Sequence, residues 1–344
     1  MNDQELMRKA LECAEKGWGK TSPNPMVGAI IVKNGEIVGS GYHAKAGEAH
    51  AEVNAINDAG SNASGADLYV TLEPCSSYGR TPPCTEAIKK AGIKSVFVGA
   101  LDPNPKHRGA AITILHEAGI QVFENILREE CAVINEAFFK WITTGKPFVL
   151  LKMAMTLDGK IATHSGTSQW ITGEQARQRV QHLRQWADAI MIGAGTARQD
   201  HPALKVREPQ NWPRQPRRLV VSKSMTVAEA AKTLADGVTP EVLNGTNWDA
   251  DFRRLGSEKT VSILVEGGGE LAASLLNAGE VDKIEFHIAM KILGGRDSRP
   301  VVGGKNPSSL ADAVELFNTK TFQAGQDLIV TGYPISAHRH PIKT

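Results

Sequence analysis

The pattern of apolar and polar positions divides the chain into two series of alternating helices and strands. Residues 3–17 carry apolar side chains at helical spacing, and "MVGAIIVKNGEIVGSGYH" predicts two strands joined by a turn at Asn34–Gly35. The segments that follow alternate between helical and strand patterns: "AHAEVNAINDAG", "ADLYVTLEPC", "CTEAIKKAG", "IKSVFVGALDPNP", a helix that stops at Gly119, and "IQVFEN". This alternation predicts a three-layer α/β domain.

A second α/β series begins after "TTGKP" at residues 143–147. We therefore place the domain boundary there, with one domain over residues 1–145 and a second over residues 146–344. Helices and glycine turns separate the strand patterns of the second half: "PFVLLKMAMTLDGKIA", "DAIMIGAGTA", "RRLVVS", "VSILVEGGGELAASLLNAG" and "VDKIEFHIAMKILGG". Residues 205–217, rich in Pro, Arg and Gln, predict an exposed loop.

Composition narrows the class of protein. The 344 residues are 41% hydrophobic and 22% charged, which is typical of a globular chain long enough for two cores. A net charge of +2 without a long basic run argues against binding to long nucleic acid. We find no signal peptide and no apolar stretch long enough to cross a bilayer, so we expect a cytoplasmic protein without membrane attachment. In a cytoplasmic protein we do not expect the four cysteines to form a disulfide framework.

The segment "AHAEVNAI" places His50 two residues before Glu52 at a predicted helix start. Alone, this arrangement is more often an ordinary amphipathic first turn. Cys75 and Cys84, nine residues apart in "TLEPCSSYGRTPPC", change the interpretation. One His and two Cys leave the fourth position of a zinc ion open, as catalytic zinc sites require. We expect Cys75 to lie at a helix N-terminus, where the free N–H groups favour a thiolate.

Glu52 would then reach a zinc-activated water without binding the metal and would carry its proton to a leaving ammonia. The pattern His-x-Glu, then Pro-Cys, then a later Cys is the signature of zinc deaminases, in which the two cysteines stand three apart. The nine-residue spacing between Cys75 and Cys84 weakens the match. A structural zinc site and a coincidence remain the alternatives.

Two glycine-rich segments in the second half are candidates for binding a nucleotide. "AIMIGAGTARQD" follows a strand pattern, but Arg198 stands where the dinucleotide fingerprint has its third glycine, so this signal is weak. In "ILVEGGGELAASLL", a strand ends at Glu266 and three glycines precede a helix, a turn whose N–H groups can hold a phosphate. The alternative for this second segment is a glycine turn without a ligand.

At family level, "SPNPMVGAIIV", "GYHAKAGEAHAEVNAI", "TLEPC", "GRTPPC" and "DPNP" closely resemble the deaminase half of the bifunctional riboflavin biosynthesis deaminase–reductases. "LKMAMTLDGKIA", "SQWITG" and "TARQDHPALKVR" resemble the reductase half. The resemblance covers nearly the whole chain, and its long cysteine loop is what separates this family from cytidine and tRNA-adenosine deaminases. It implies an α/β fold in both halves: a cytidine-deaminase-like domain followed by a dihydrofolate-reductase-like domain.

The activity implied by the resemblance has two steps. The first is hydrolytic removal of the 2-amino group of 2,5-diamino-6-ribosylamino-4(3H)-pyrimidinone 5′-phosphate. The second is NADPH-dependent reduction of the ribosyl group to ribityl, which gives 5-amino-6-(5-phosphoribitylamino)uracil. One zinc ion per chain and NADPH are the expected cofactors, a small phosphorylated pyrimidine is the expected partner, and a homodimer or homotetramer is expected.

The resemblance assigns residues of the deaminase half individually. His50, Cys75 and Cys84 become the zinc ligands and Glu52 the proton shuttle. The expected contacts to the pyrimidine or the ribose phosphate are Asn24, His43, Arg80 and Asn104. The alternatives are that Asn24 only forms a turn and that Arg80 is only a solvated charge in a loop.

Two further sets follow for the reductase half. The residues expected along NADPH are Ala154, Trp170, Thr172, Thr196, Asp200, Ser222, Gly267, Gly268 and Gly269. Those expected to face the ribose phosphate are Ser168, Arg184, Leu204, Arg207 and Glu266. Lys152 is expected to be the polar group nearest the reacting carbon, where it would either donate to the ring-opened sugar oxygen or help to open the ring. Arg184 and Arg207 suit a phosphate because a guanidinium binds it bidentately.

The chain departs from the family pattern at three positions. Ser77 stands where the family usually has His, Ala110 replaces a loop glycine, and Lys223 replaces a Ser. The lost glycine affects the loop expected near the phosphate. Lys223 is either a contact to the 2′-phosphate of NADPH or an exposed loop charge.

Two competing functions follow from the same residues. One is a single-function nucleobase or tRNA deaminase with an unrelated C-terminal domain. The other is a non-catalytic zinc-binding module with a degenerate second half. Glu52 argues against the second, because a purely structural zinc site has no use for it.

Overall fold

The computed structural model describes residues 1–78, 82–104 and 107–335, and the chain divides into two compact units. The first unit covers Met1–Gly145, and the second begins at Lys146.

The first unit is built on one five-stranded sheet in the order β2-β1-β3-β4-β5. Its strands are β1 (Gly28–Lys33), β2 (Glu36–Tyr42), β3 (Asp67–Leu72), β4 (Ser95–Ala100) and β5 (Gln121–Phe123). Its helices are α1 (Asp3–Glu15), α2 (Ala51–Ala59), α3 (Cys84–Ala91), α4 (Ala110–Glu117), α5 (Arg128–Val133) and α6 (Glu136–Thr144), with a 3-10 turn at Gly60–Ala63. β1 pairs antiparallel with β2 and β3, whereas β3, β4 and β5 run parallel.

Helices cover both faces of this sheet, and the strand residues alternate between the two sides. On one face Ile31 packs in a buried cluster with Ala55 of α2 and Ile88 of α3. On the other, Ile30 packs in a cluster with Met7 of α1, and that cluster also contains residues of α5 and α6. The unit therefore has the three layers that the sequence predicts.

Helix α1 shows why these elements form where they do. Its apolar positions include Leu6, Met7 and Ala10, which lie on one face and are buried. Its start is fixed by a capping box: Asn2 Oδ1 accepts a hydrogen bond from Glu5 N, and Glu5 Oε2 accepts one from Asn2 N, both at 2.9 Å.

The second unit contains an eight-stranded sheet in the order β10-β9-β8-β11-β6-β12-β15-β14. Its strands are β6 (Phe148–Thr156), β7 (Lys160–Ala162), β8 (Ala189–Gly193), β9 (Arg217–Val221), β10 (Glu241–Leu243), β11 (Ser262–Val265), β12 (Lys283–Ala289), β13 (Arg299–Pro300), β14 (Leu316–Ala324) and β15 (Asp327–Pro334), of which β7 and β13 form a separate pair. Its helices are α7 (Glu174–Trp186), α8 (Ala194–Asp200), α9 (Val227–Lys232), α10 (Trp248–Ser257) and α11 (Gly269–Asn277), with a 3-10 turn at Leu310–Asp312.

The strands from β10 to β12 run parallel, and β15 is antiparallel to β12 and β14. Leu151 and Ile263 of the sheet pack in one buried cluster with Phe252 of α10 and Leu275 of α11. The segments that follow the carboxyl ends of β8 and β11 converge on one cavity, the usual place for a ligand in a parallel sheet.

The structure also differs from the sequence-based expectations. The helices α5 and α6 and the hairpin β14–β15 were not predicted. The segment 205–217 is a loop before Arg217 and is mostly exposed, as predicted, although Val206, Trp212 and Pro216 within it are buried. None of the helices in the described ranges combines the length and apolar character that a bilayer-spanning segment needs.

Candidate active sites

Three metal-binding side chains meet in the first unit. His50 is the N-cap residue of α2 but makes no side-chain capping bond, so its ring is free to face the two cysteines. His50 Nδ1 lies 3.2 Å from Cys84 Sγ and 3.5 Å from Cys75 Sγ. The ligand atoms of His50, Cys75 and Cys84 all lie within 4.8 Å of one another. Soft N and S donors at this spacing, with no fourth protein ligand in the cluster found among the described residues, fit a zinc ion that keeps one position open.

The expectation that Cys75 begins a helix is wrong. Cys75 lies in the loop after β3, and Cys84 is the first residue of α3, behind the N-cap Pro83. The physical effect is nevertheless present, because the free backbone N–H of Cys84 donates to Cys75 Sγ at 3.2 Å. Hydrogen bonds from Cys84 and His50 lower the pKa of Cys75, which favours the thiolate that a zinc ion binds.

Glu52 lies in the first turn of α2 and is only 3% exposed. Burial, and then the charge of Cys75, raise the pKa of Glu52 to about 7. A carboxyl group with a pKa in this range can both accept and release a proton near neutrality. It lies beside the ligand cluster and is not part of it.

Asn24 and His43 extend this site. Asn24 Nδ2 donates to His43 Nε2 at 3.1 Å, and His43 Nδ1 donates to the Ala49 carbonyl at 3.1 Å. The rings of His43 and His50 meet edge to face with centroids 5.3 Å apart. Burial lowers the pKa of His43, so its imidazole is held neutral.

Glu73, which was not among the residues predicted from the sequence, anchors the loop that carries Asn104. Glu73 Oε2 accepts hydrogen bonds from the backbone N–H groups of Asp102 and Gly109 at 3.0 Å, and Oε1 accepts one from Ala111 at 3.2 Å. Asn104 N in turn donates to Asp102 Oδ1 at 2.8 Å. Arg80, the fourth expected contact of the deaminase half, lies outside the described residues.

The second unit contains a cavity of about 1150 Å³, beyond the usual upper size of a ligand pocket. Every residue that the resemblance assigns to the reductase half lines it: Lys152, Ala154, Ser168, Trp170, Thr172, Arg184, Thr196, Asp200, Leu204, Arg207, Ser222, Glu266, Gly267, Gly268 and Gly269. Lys223, the departure next to Ser222, lines the cavity as well.

The glycine turn between β11 and α11 has the form of a phosphate cradle. Gly267 and Gly268 have φ values of 149° and 90°, a region that other residues rarely adopt. A Cβ atom on Gly268 would lie 3.2 Å from Thr196 Oγ1, and one on Gly269 would lie 2.7 Å from the Pro300 carbonyl. The turn leads into the N-terminus of α11, where backbone N–H groups favour an anion, so it fits the diphosphate of a dinucleotide.

Ionic side chains also line the cavity. Arg184 Nε donates to Glu266 Oε1 at 2.6 Å and its Nη2 donates to Oε2 at 2.7 Å, with both side chains about nine-tenths buried. The guanidinium of Arg184 is therefore engaged, and the expectation that it binds a phosphate bidentately does not hold in this arrangement. Arg207 is exposed and close enough to lower the pKa of Glu266.

Lys152, on β6, is buried and lines the same cavity. Burial lowers the pKa of its ammonium group, while the charge of Glu266 acts in the opposite direction. Elsewhere on the cavity wall, Ser168 Oγ donates to Asp200 Oδ1 at 3.2 Å. This bond joins a residue expected at the substrate to one expected at NADPH.

The fold and the sites together define a zinc-binding deaminase domain joined in one chain to a domain with a nucleotide-sized cavity. The cytidine and deoxycytidylate deaminase zinc-binding region matches residues 1–100. The RibD C-terminal domain matches residues 147–330.

Relatives that match nearly the whole chain support the same assignment as the two domain matches. The chain is 41% identical to the riboflavin biosynthesis protein RibD of Bacillus amyloliquefaciens, over 96% of each chain. It is 41% identical to RibD of Actinobacillus pleuropneumoniae, over 98% of this chain and 96% of that one. A solved structure of Acinetobacter baumannii RibD superimposes with a TM-score of 0.85 at 36% identity, covering 96% of this chain and 98% of that one.

A second solved structure, the deaminase/reductase of Thermotoga maritima, gives a TM-score of 0.84 at 33% identity, over 96% and 98% of the two chains. The chain belongs to the RibD family of bifunctional riboflavin biosynthesis enzymes. It is a deaminase and a reductase, and the α/β fold class expected for both halves is confirmed. An unrelated C-terminal domain is thereby excluded.

Proposed function

We propose that this chain catalyses two consecutive steps on a phosphorylated ribosylaminopyrimidine. The first removes the 2-amino group of 2,5-diamino-6-ribosylamino-4(3H)-pyrimidinone 5′-phosphate, and the second reduces the ribosyl group of the product to ribityl. The observation that carries the proposal is the buried Glu52 beside the cluster of His50, Cys75 and Cys84, in a chain whose second unit holds a cavity lined by a buried lysine.

In the deaminase half, His50, Cys75 and Cys84 would hold a zinc ion, which when bound lowers the pKa of a coordinated water. Glu52 accepts a proton from the attacking water and returns it to the departing ammonia. Asn24 offers its amide to the edge of the pyrimidine ring, and His43 stays neutral to keep that amide in place.

The loop held by Glu73 presents Asn104 as a further contact to the substrate. Arg80 is proposed as a contact to the phosphate, since a guanidinium suits that group. Because alanine stands at position 110, Gly109 is the residue that provides the positive φ in this loop, at 78°.

In the reductase half, NADPH would, when bound, supply the hydride needed to reduce the sugar carbon C1′. Lys152 donates a hydrogen bond and then a proton to the sugar oxygen as the ring opens. Arg207 binds the ribose phosphate, and Arg184 orients Glu266 towards the sugar by its bidentate ion pair. Ser168 and Leu204 complete the substrate wall.

The glycine turn Gly267–Gly269 would hold the diphosphate of the cofactor, and the residues that would lie along the cofactor are Ala154, Trp170, Thr172, Thr196, Asp200 and Ser222. Lys223 offers a cation to the 2′-phosphate. We further propose a cytoplasmic homo-oligomer, a dimer or a tetramer, acting on a small molecule without nucleic acid or membrane.

The test measures both ammonia release and NADPH oxidation in each of two single variants, Glu52→Gln and Lys152→Gln. Glu52→Gln is expected to lower ammonia release at least about 100-fold. It should keep its zinc and should still oxidise NADPH with the deaminated intermediate. Lys152→Gln is expected to do the reverse, releasing ammonia normally and losing NADPH oxidation. Full deamination by Glu52→Gln, or loss of both steps in either variant, would contradict the residue roles.

A further inference from the structure

A group of buried polar residues lies behind the reductase cavity, on strands that the proposed mechanism uses only in part. Lys152 of β6 and Glu285 of β12 are direct partners in a parallel pair, and Ala154 is the partner of His287. Partner residues of parallel strands point to the same face of the sheet, about 4.8 Å apart. Glu285 is 2% exposed, and His287 is fully buried.

Glu285 is thus the acidic neighbour of Lys152 in the sheet, but its carboxylate binds other groups. Arg179 of α7 donates from Nε to Glu285 Oε1 at 3.0 Å and from Nη2 to Oε2 at 2.9 Å. His287 Nε2 donates to Oε1 at 2.9 Å. Burial alone would raise the pKa of Glu285, whereas these hydrogen bonds from His287 and Arg179 lower it to about 2.

Lys152 is left without this partner. In the part of the chain that the structure describes, no oxygen of Glu285 lies within ion-pair distance of Lys152, although the two residues are adjacent in register. Burial lowers the pKa of Lys152, the negative charges of Glu266 and Glu285 raise it, and the positive charge of Arg184 lowers it. A buried ammonium next to a carboxylate would normally form an ion pair with it, because an unpaired buried charge is costly.

We infer that Arg179 and His287 are positioning residues of the reductase: they occupy the Glu285 carboxylate so that the Lys152 amine stays directed at the substrate cavity. This inference rests on the reductase role proposed for Lys152. Arg179 itself does not line the cavity, and its side chain is 31% exposed on α7.

A purely structural ion pair would change stability and not kcat. If Arg179 and Glu285 only stabilise the fold, Arg179→Gln leaves an unpaired buried carboxylate that lowers the melting temperature, and adding Glu285→Gln relieves this loss, while kcat per folded protein stays at the wild-type value in all three variants. If Arg179 restrains Glu285, the carboxylate released in Arg179→Gln forms an ion pair with Lys152 and kcat falls. The second change, Glu285→Gln, removes this carboxylate and restores kcat. A double-mutant cycle separates these two cases.

The experiment measures NADPH oxidation by the full-length holoenzyme with the deaminated intermediate. We expect Arg179→Gln to lower kcat at least about tenfold with KM values within about threefold of wild type, and Glu285→Gln to stay within about threefold of wild type. The double variant should return to within about threefold of Glu285→Gln. Ammonia release by the first unit and thermal unfolding serve as folding controls.

A crystal structure of Arg179→Gln without ligands gives a readout independent of activity. It should show Lys152 Nζ within ion-pair distance of the Glu285 carboxylate. If Arg179→Gln does not fold, Arg179→Lys is used, because one ammonium cannot hold both oxygens, and an intermediate loss of kcat is expected.

Three results would overturn the inference: an unimpaired Arg179→Gln, a double variant as slow as Arg179→Gln, or a crystal structure in which Lys152 has not moved. A wild-type protein without any reductase activity would instead refute the proposed function. In that case the crystal structure still decides whether Arg179 keeps Glu285 from Lys152.

Discussion

Buried carboxylates in this chain differ in their partners, and the partners define what each group can do. Glu52 lies beside a thiol–imidazole cluster and has a pKa raised to about 7 by burial and Cys75, which suits a proton shuttle. Glu73 accepts three backbone hydrogen bonds and holds a loop. Glu266 and Glu285 are each held bidentately by an arginine and remain ionised.

Glu73 gives the first residue-scale prediction. Glu73→Gln keeps the shape of the side chain but replaces one acceptor oxygen by an amide that cannot accept from the backbone N–H groups. We expect the KM for the diaminopyrimidine to rise about tenfold, since the Asn104 loop loses its anchor, with zinc content and reductase activity unchanged. Steady-state kinetics of ammonia release measure this. Glu36→Gln, at an exposed position of the same unit, is the control, and an unchanged KM in Glu73→Gln would refute the anchoring role.

Glu285 gives a pH-dependent prediction. Its folded-state pKa of about 2 lies below its usual value, so its stabilising effect is present above about pH 4.5 and is lost as the pH falls towards 2. The charged or titratable groups around it are Arg179 and His182 of α7, His287 of β12 and Lys152 of β6.

The pKa difference of Glu285 corresponds to roughly 3 kcal/mol at neutral pH. We expect Glu285→Gln to unfold at a lower temperature than wild type at pH 7, and the two melting temperatures to converge as the pH approaches 2. Differential scanning calorimetry across this range provides the measurement. A difference that stays constant with pH would show that the carboxylate is not ionised and paired in the folded state.

At this scale the sequence predicts local chemistry better than long-range pairing. His50 and Glu52 belong to one short motif, and the cysteines follow in a recognisable loop, so the zinc cluster can be proposed before the structure is known. The roles of Glu73 and Glu285 depend on partners up to 106 positions away, as in the Arg179–Glu285 pair. The alternation of Glu285 and His287 on one strand face was the only local signal, and it is equally typical of an exposed strand face.

At the scale of elements, two glycines of β2 decide how closely α2 approaches the sheet. A Cβ atom on Gly41 would collide with the backbone of Ala51 and Ala55, and one on Gly39 would lie 2.6 Å from the Ala55 carbonyl. Helix α2 begins directly after His50 and carries Glu52. The packing of β2 against α2 therefore determines the positions of a proposed metal ligand and of the proposed proton shuttle.

The variant Gly41→Ala tests this packing. The added methyl group must push α2 away from the strand, a change that typically costs about 1–3 kcal/mol in a tightly packed region. We expect reduced zinc content and a loss of deaminase activity, with reductase activity retained. Zinc is measured by metal analysis of the purified protein. Ser40→Ala, at the exposed neighbouring position of the strand, serves as control, and a Gly41→Ala protein with full zinc and full activity would contradict the account.

Elements with strong local signals were predicted, and those that depend on tertiary contacts were not. The Asn34–Gly35 turn lies between β1 and β2 as expected, and α2 ends at Gly60. Strand β14 was missed because it lies at the end of the sheet with nearly all its residues exposed, and therefore lacks an apolar alternation. Helix α5 is only six residues long, too short for a helical period to stand out.

At the scale of the whole molecule, each unit has its own sheet, its own buried core and its own site. All the residues of the proposed deaminase site lie before Gly145, and all those of the proposed reductase site lie after Lys146. The two activities should therefore respond separately to loss of the metal.

The most direct test follows ammonia release and NADPH absorbance together, on one purified sample, with and without a zinc chelator. With the diaminopyrimidine substrate, untreated protein should release ammonia first and then oxidise NADPH, and it should contain about one zinc per chain. After chelation, ammonia release should stop, while NADPH oxidation with the deaminated intermediate continues. NADPH oxidation that is lost together with zinc, or ammonia release that survives its removal, would contradict an account in which the two units carry separate reactions.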